Sequence, residues 1–133
     1  MEGEMKQPIL VIDVDLDDAF EVKGHSGNAS MLLFHGSCDC ENFKGTILPG
    51  GVDTQKQVLG EEKLLSARYI LEGKDKSGKD CRIFIENNTL PQSKQTKPMI
   101  YTDSKELQWL ESADLYGEIS GKKGGVIISI FEK

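Results

Sequence analysis

Apolar and polar residues alternate with a period of two along most of the chain, and the apolar positions are rich in Ile, Val, Phe and Tyr, the pattern of half-buried strands. Residues 8–14 predict a first strand, with Leu10, Ile12 and Val14 on one face and Asp13 marking the other. Residues 20–23 predict a shorter one, closed by the turn cluster Gly24-His25-Ser26-Gly27-Asn28. A strand over 30–40 begins apolar and becomes small and polar. A strand over 43–48 runs into Pro49-Gly50-Gly51, where Pro presets the first central position of a type II turn and Gly supplies the positive φ of the second. Residues 64–72 and 80–87 form a hairpin pair around the polar, glycine-bracketed loop 73–79. In the first of these, Ala67, Tyr69 and Leu71 share one face and Ser66, Arg68 and Ile70 the other. In the second, Cys81, Ile83, Ile85 and Asn87 oppose Arg82, Phe84 and Glu86. Residues 115–120 and 126–131 flank Gly121-Lys122-Lys123-Gly124-Gly125 as a last hairpin. The polar stretch 88–98, with two prolines, reads as a mobile loop. Helix is confined to 104–111, with Asp103 as N-cap and Glu106 reaching back in a capping box.

Seven or eight short strands joined by turns predict an all-β fold. One antiparallel sheet either folds into a sandwich or closes into a barrel, and the barrel is favoured because several strands are apolar on both faces. A single domain spans 8–133, preceded by a tail over 1–7. The chain has 133 residues, 16 basic against 22 acidic, and a net charge of −6. That balance argues against a protein that neutralises phosphates, so no nucleic-acid partner is expected. No apolar run approaches the roughly 20 residues of a membrane span, and the acidic start Met1-Glu2-Gly3-Glu4 does not read as a secretory signal. Three cysteines, an odd number, then favour reduced thiols and a cytoplasmic location.

The segment Phe43-Lys44-Gly45-Thr46-Ile47-Leu48-Pro49-Gly50-Gly51-Val52-Asp53 resembles the domain-of-unknown-function 3237 family, whose members carry a small-Gly-x-x-Leu-Pro-Gly-Gly-x-Asp motif. Ala67-Arg68-Tyr69, the strand from Arg82 to Asn87, Trp109-Leu110 and the ending from Val126 to Glu132 follow in the family's order, so the likeness covers residues 20–133. The resemblance implies a small antiparallel barrel of lipocalin-like or allene-oxide-cyclase-like form, and no established reaction. The chain departs from the pattern at Thr54, Glu111 and Asn88-Thr89.

Arg68 needs an acidic partner or a ligand if its face lines the barrel, because an unpaired buried charge is costly. Asp53 is the partner the family pattern offers. The pair is either a bridge that pins the loop to the wall or a site in which Arg68 orients an anionic or carbonyl-bearing molecule. His35 ends an apolar run and is a candidate general base beside Asp53; it is equally a structural residue at a strand end. Asn87 and Tyr101 are candidate hydrogen-bonding groups. Trp109 either lines a pocket or plugs one end of the barrel. Cys38-Asp39-Cys40 places two thiols on one side of an extended segment, but the further ligands of a soft-metal site are missing locally, so neither metal nor cofactor is expected. Two functions remain. One is a binding barrel for a small organic molecule, with cofactor-free lyase, isomerase or cyclase chemistry. The other is a packed barrel acting as a passive binding or homo-oligomer-forming module.

Overall fold

The computed structural model describes residues 6–133, and the expected tail over 1–7 falls largely outside the described residues. Nine strands follow one another: β1 (Leu10–Lys23), β2 (Gly27–Asp39), β3 (Phe43–Ile47), β4 (Val52–Val58), β5 (Leu64–Asp75), β6 (Asp80–Thr89), β7 (Thr96–Thr102), β8 (Leu115–Lys122) and β9 (Gly125–Glu132). All pairings are antiparallel. The sheet runs β1-β9-β8-β7-β6-β5, continues through β3 and β4 to β2, and returns to β1, so it is a closed antiparallel barrel.

Two of the nine strands share one place in the wall. β3 pairs with the end of β2 and the end of β5, while β4 pairs with the earlier part of β2 and the start of β5. The Pro49-Gly50-Gly51 turn therefore does not reverse the chain. Gly50 has φ +110°, as a type II turn requires, but the turn is a kink between two strands that continue in the same direction. The barrel consequently has eight strand positions.

The period-two faces are resolved by burial. Leu10, Ile12 and Val14, Tyr69 and Leu71, and Cys81, Ile83, Ile85 and Asn87 all point inward. Four expectations are corrected. The separate strands over 8–14 and 20–23 are one strand, β1, whose register slips between Leu16 and Ala19 and so absorbs the polar Asp17-Asp18 break. No strand is expected from the sequence over 52–58, where Asp53-Thr54-Gln55-Lys56-Gln57 carries no apolar alternation; the ladders of β2 and β5 on either side impose β4. The loop expected over 88–98 shrinks to the few residues between β6 and β7, with Lys97 and Pro98 already paired to Asn88 and Asn87. The expected helix over 104–111 is a single 3-10 turn, Gln108–Glu111. Its approach is fixed by Ser104, whose Oγ accepts the Leu107 N–H at 3.2 Å and donates to Asp75 Oδ2 at 2.7 Å, while Asp103 accepts the Arg82 N–H at 2.8 Å.

This segment closes one end of the barrel. Leu107 and Leu110 are each 1% exposed and join Leu10, Phe43, Leu71, Ile83, Leu115 and Ile130 in the core. Trp109, expected as a possible plug, is 41% exposed. The turn below it is tied by Asp75, whose carboxylate accepts the Ser77 and Ser104 hydroxyls and the N–H groups of Lys79 and Ser77; the two hydroxyls above all hold its pKa down at about 2, against burial. The weakest joint in the wall lies between β7 and β8, which share only the Thr96–Gly117 pair. No helix among the described residues is long and apolar enough to cross a membrane.

Leu110→Ala should cost about 2–5 kcal/mol in urea unfolding, the range for emptying a fully packed position, whereas Trp109→Ala should cost under about 1 kcal/mol. Equal losses at the two positions would show that the tryptophan shares the plug.

Candidate functional site

The opposite end of the barrel is not filled. A cavity of about 170 Å³ lies between Val14, Phe34, Ala67, Val126 and Ile128, with Leu16 and Ile119 at its rim. Both rim residues are exposed, so the cavity opens to solvent at the end away from the 3-10 turn. Its floor is Phe34, packed edge-on against the Tyr69 ring with centroids 5.6 Å apart.

Polar groups enter this apolar space from separate strands. Along β4 the side chains alternate, so Asp53 and Gln55 face the cavity while Thr54 and Lys56 line a hollow on the outside. Gly51 enables this entry, because a Cβ there would stand 2.8 Å from the Phe34 ring. Asp53 pairs with Ala67 and Ala67 with Asn87, so the three are ladder neighbours at one level of the wall. Asp53 and Asn87 thus stand two strand spacings apart, about 10 Å, with the small Ala67 side chain between them. Thr96 completes the group at the β7–β8 joint, where Gly117 leaves room for the Thr96 hydroxyl and the Asn87 amide.

Asp53 Oδ1, Asn87 Oδ1 and Thr96 Oγ1 are buried without a hydrogen-bond partner. Asn87 and Thr96 are 4% and 3% exposed. Buried acceptors normally find partners, and leaving one unmade costs about 1–3 kcal/mol. Asp53 Oδ2 does accept a bond from Gln55 Nε2 at 3.0 Å. Burial nevertheless pushes the Asp53 pKa above its ordinary value, against the opposing effects of the Gln55 bond and the Lys63 charge. A carboxyl group with a raised pKa in a mainly apolar recess can both give and take a proton. No cationic side chain lines the cavity.

The residues expected from the sequence divide between the two faces of the wall. Asp53 and Asn87 lie together in the cavity. Arg68 does not join them: it occupies the outer face, 56% exposed, with Nε 3.2 Å from Glu86 Oε1, so the Arg68–Asp53 pairing is replaced by a cross-strand surface pair. The cause is the period of the strand, since Tyr69 and Leu71 claim the interior. His35 also faces outward, with Nδ1 2.7 Å from Asp17 Oδ1 and Nε2 3.7 Å from Asp15 Oδ2. Tyr101 stacks on Phe84 outside the barrel, ring centroids 6.2 Å apart. Trp109 lies at the plugged end. Thr96 and Gln55 were missed: Thr96 lies in the stretch expected as a loop, and Gln55 in a segment with no apolar alternation to mark a strand; the alternation of Thr96, Pro98 and Ile100 was the available signal.

A larger depression, about 750 Å³, lies on the outside around Lys44, Glu72, Lys74, Asp80 and Arg82. Its charges are already paired, Arg82 with Glu72 and Lys74 with Asp80, each at 2.7 Å, so it leaves no unmet chemistry. Among the described residues no group of three or more His, Cys, Asp or Glu side chains could hold a metal ion.

No protein-family model matches the chain. No curated protein matches it either. Solved structures do share its fold. A protein with unknown function from Clostridium acetobutylicum is similar with a TM-score of 0.78 at 23% identity, over 97% of this chain and 99% of that one. A conserved protein of unknown function from Rhodopseudomonas palustris follows at 0.71 and 17%, over 96% of each chain. An enzyme from Penicillium herquei is similar at 0.69 and 14%, over 96% of this chain and 98% of that one.

Because the folded state raises the Asp53 pKa above the unfolded value of 3.8, the native protein holds this proton longer as pH rises. Stability from this group is therefore present below that value and lost as pH rises through the native pKa. Asp53→Asn removes the titration, so its melting temperature should overtake that of the wild type as pH is raised from about 4 to 7. A constant difference across that range would show that Asp53 titrates as an ordinary carboxyl group.

Proposed function

We propose that the open end of the barrel binds a small, uncharged, mainly apolar molecule bearing a hydroxyl or carbonyl group, and that Asp53 moves a proton on it without a cofactor. The observation that carries this reading is the set of three unpartnered buried oxygens, from Asp53, Asn87 and Thr96, facing one apolar cavity. A ligand hydroxyl would satisfy an acceptor that otherwise costs free energy, which is a reason for the site to be kept empty of side chains. An apolar cavity of about 150 Å³ accommodates a benzene ring, so the volume here suits one six-membered ring.

An anionic ligand is disfavoured. Arg68 is the cation that would have held it, and it lies outside the wall. Proton transfer by a single carboxyl group suits isomerase, lyase or cyclase chemistry: the acid form protonates a carbonyl oxygen or the base form removes an adjacent proton. The Penicillium herquei neighbour is described as an enzyme. That supports catalysis only by analogy of fold. The Leu-Pro-Gly-Gly-x-Asp segment belongs in the same reading: it sets the kink that aims Asp53 inward, and it is the segment on which the proposed kinship with the domain-of-unknown-function 3237 family rests.

Phenol and cyclohexanone serve as probes against benzoate, with binding followed by calorimetry and by native mass spectrometry of the gently purified protein. The uncharged rings should bind and benzoate should not. Asp53→Ala and Asn87→Leu should each weaken binding about tenfold, the worth of one hydrogen bond in a desolvated site, and Arg68→Ala should leave it unchanged. Preferential binding of benzoate, lost in Arg68→Ala, would overturn the assignment.

A further inference from the structure

At the plugged end of the barrel, far from the cavity, the last inward residue of β2 and the residue just beyond that strand bring two thiols together. Cys38 Sγ and Cys40 Sγ are 3.5 Å apart. Cys38 is 2% exposed and donates toward the Phe43 carbonyl at 3.7 Å, while Cys40 is only partly buried. Cys40 Sγ also accepts the Val11 N–H at 3.1 Å, a backbone donor aimed at the sulfur. A backbone N–H directed at the Cys40 sulfur favours its thiolate, as it favours any anion.

We propose that Cys38 and Cys40 form a reversible two-electron redox pair, in which a hydroperoxide oxidises Cys40 to a sulfenic acid and Cys38 closes on it to give an intramolecular disulfide. In the first step Cys40 thiolate attacks the O–O bond, the S–O bond forms as the O–O bond breaks, and the alkoxide leaves as an alcohol after taking a proton from solvent. In the second step Cys38 sulfur attacks Cys40 sulfur, the S–O bond breaks, and the departing hydroxide takes the Cys38 proton to become water. Two thiols lose two electrons and the peroxide gains them. A small-molecule thiol, present in excess, reverses the change by exchange.

The division of labour follows from the surroundings. The Cys38 contact and the Val11 N–H lower the Cys40 pKa, against the opposing effects of burial and the Asp39 charge. The same Cys40 contact and burial raise that of Cys38, which therefore keeps its proton until hydroxide departs. Cys81 has no partner thiol in this role; burial raises its pKa, and in the wall Gly45 and Gly73 separate it from Cys38. Because Cys40 lies beyond the end of β2, its sulfur can leave Val11 and close the remaining gap to the bonding distance of about 2 Å.

The test is thiol alkylation and peptide mapping of the whole protein before and after treatment with hydrogen peroxide. At neutral pH Cys40 should alkylate at least about tenfold faster than Cys81. Peroxide should remove two hydrogen masses, protect Cys38 and Cys40 together, and leave Cys81 alkylatable, with dithiothreitol restoring the start. Cys38→Ser should stop at a sulfenic acid that a cyclic 1,3-dione traps, and Cys40→Ser should block both steps. Alkylation of Cys40 no faster than Cys81, or oxidation that yields only interchain or Cys81 products, would overturn the proposal. The mapping on wild-type protein decides the matter even if a serine variant fails to fold.

Discussion

Closure of the sheet through β1 is the constraint on which the other features rest. One edge of β1 is bonded to β9 from Leu10 to Asp15, and its other edge to β2 from Ile12 onward. A sheet closed in this way has no free edge to manage, and every strand must present alternate residues to one shared interior. The inward set Leu10, Ile12 and Val14 then fixes the level at which β2 and β9 pair, and through them the remaining walls. The register slip after Leu16 marks where that demand ends. Past it β1 runs on beyond the reach of β9, held only by β2, whose other edge is laddered to β4, and Phe20 and Val22 are exposed.

The two ends of the barrel are opposites in chemistry. At the plugged end, Leu107 and Leu110 complete a packed apolar layer, and Asp75 gathers four donors from Ser77, Lys79 and Ser104. At the open end three oxygens remain unsatisfied beside an unfilled volume. A protein selected for stability alone would have filled that volume with Leu or Ile and removed Asp53. The unmet cost at one end is tolerated because of the packing at the other.

Much of this was legible in the sequence, and the failures have specific causes. The period of two placed Ala67, Tyr69 and Leu71 on one face and Arg68 on the other, but left open which face lines the interior; the burial of Tyr69 and Leu71 decides it. The expectation of an Arg68–Asp53 pair gave weight to a motif over that alternation. Asp53 and Asn87 were expected together as site residues, and the structure brings both to one cavity, but their position on either side of Ala67 depends on the pairing of β4 with β5 and β5 with β6. β4 has no apolar alternation of its own; its strand form comes from its neighbours' ladders. Thr96 was hidden because proline and polarity in 88–98 outweighed a short alternation. His35 followed an apolar run, which says nothing about which side of a barrel wall a side chain takes.

The single Thr96–Gly117 pair between β7 and β8 gives the barrel the mechanics of a split ring. A ring with one weak joint deforms there and keeps its shape elsewhere. The wall of β4, β5 and β6 that carries Asp53, Ala67 and Asn87 is laddered continuously, so it acts as the rigid jaw, and β8 is the compliant one. Spreading the joint at Thr96 would widen the cavity and leave the distance between Asp53 and Asn87 unchanged. The width of the cavity and the spacing of its polar groups are thereby assigned to different arcs of the same wall.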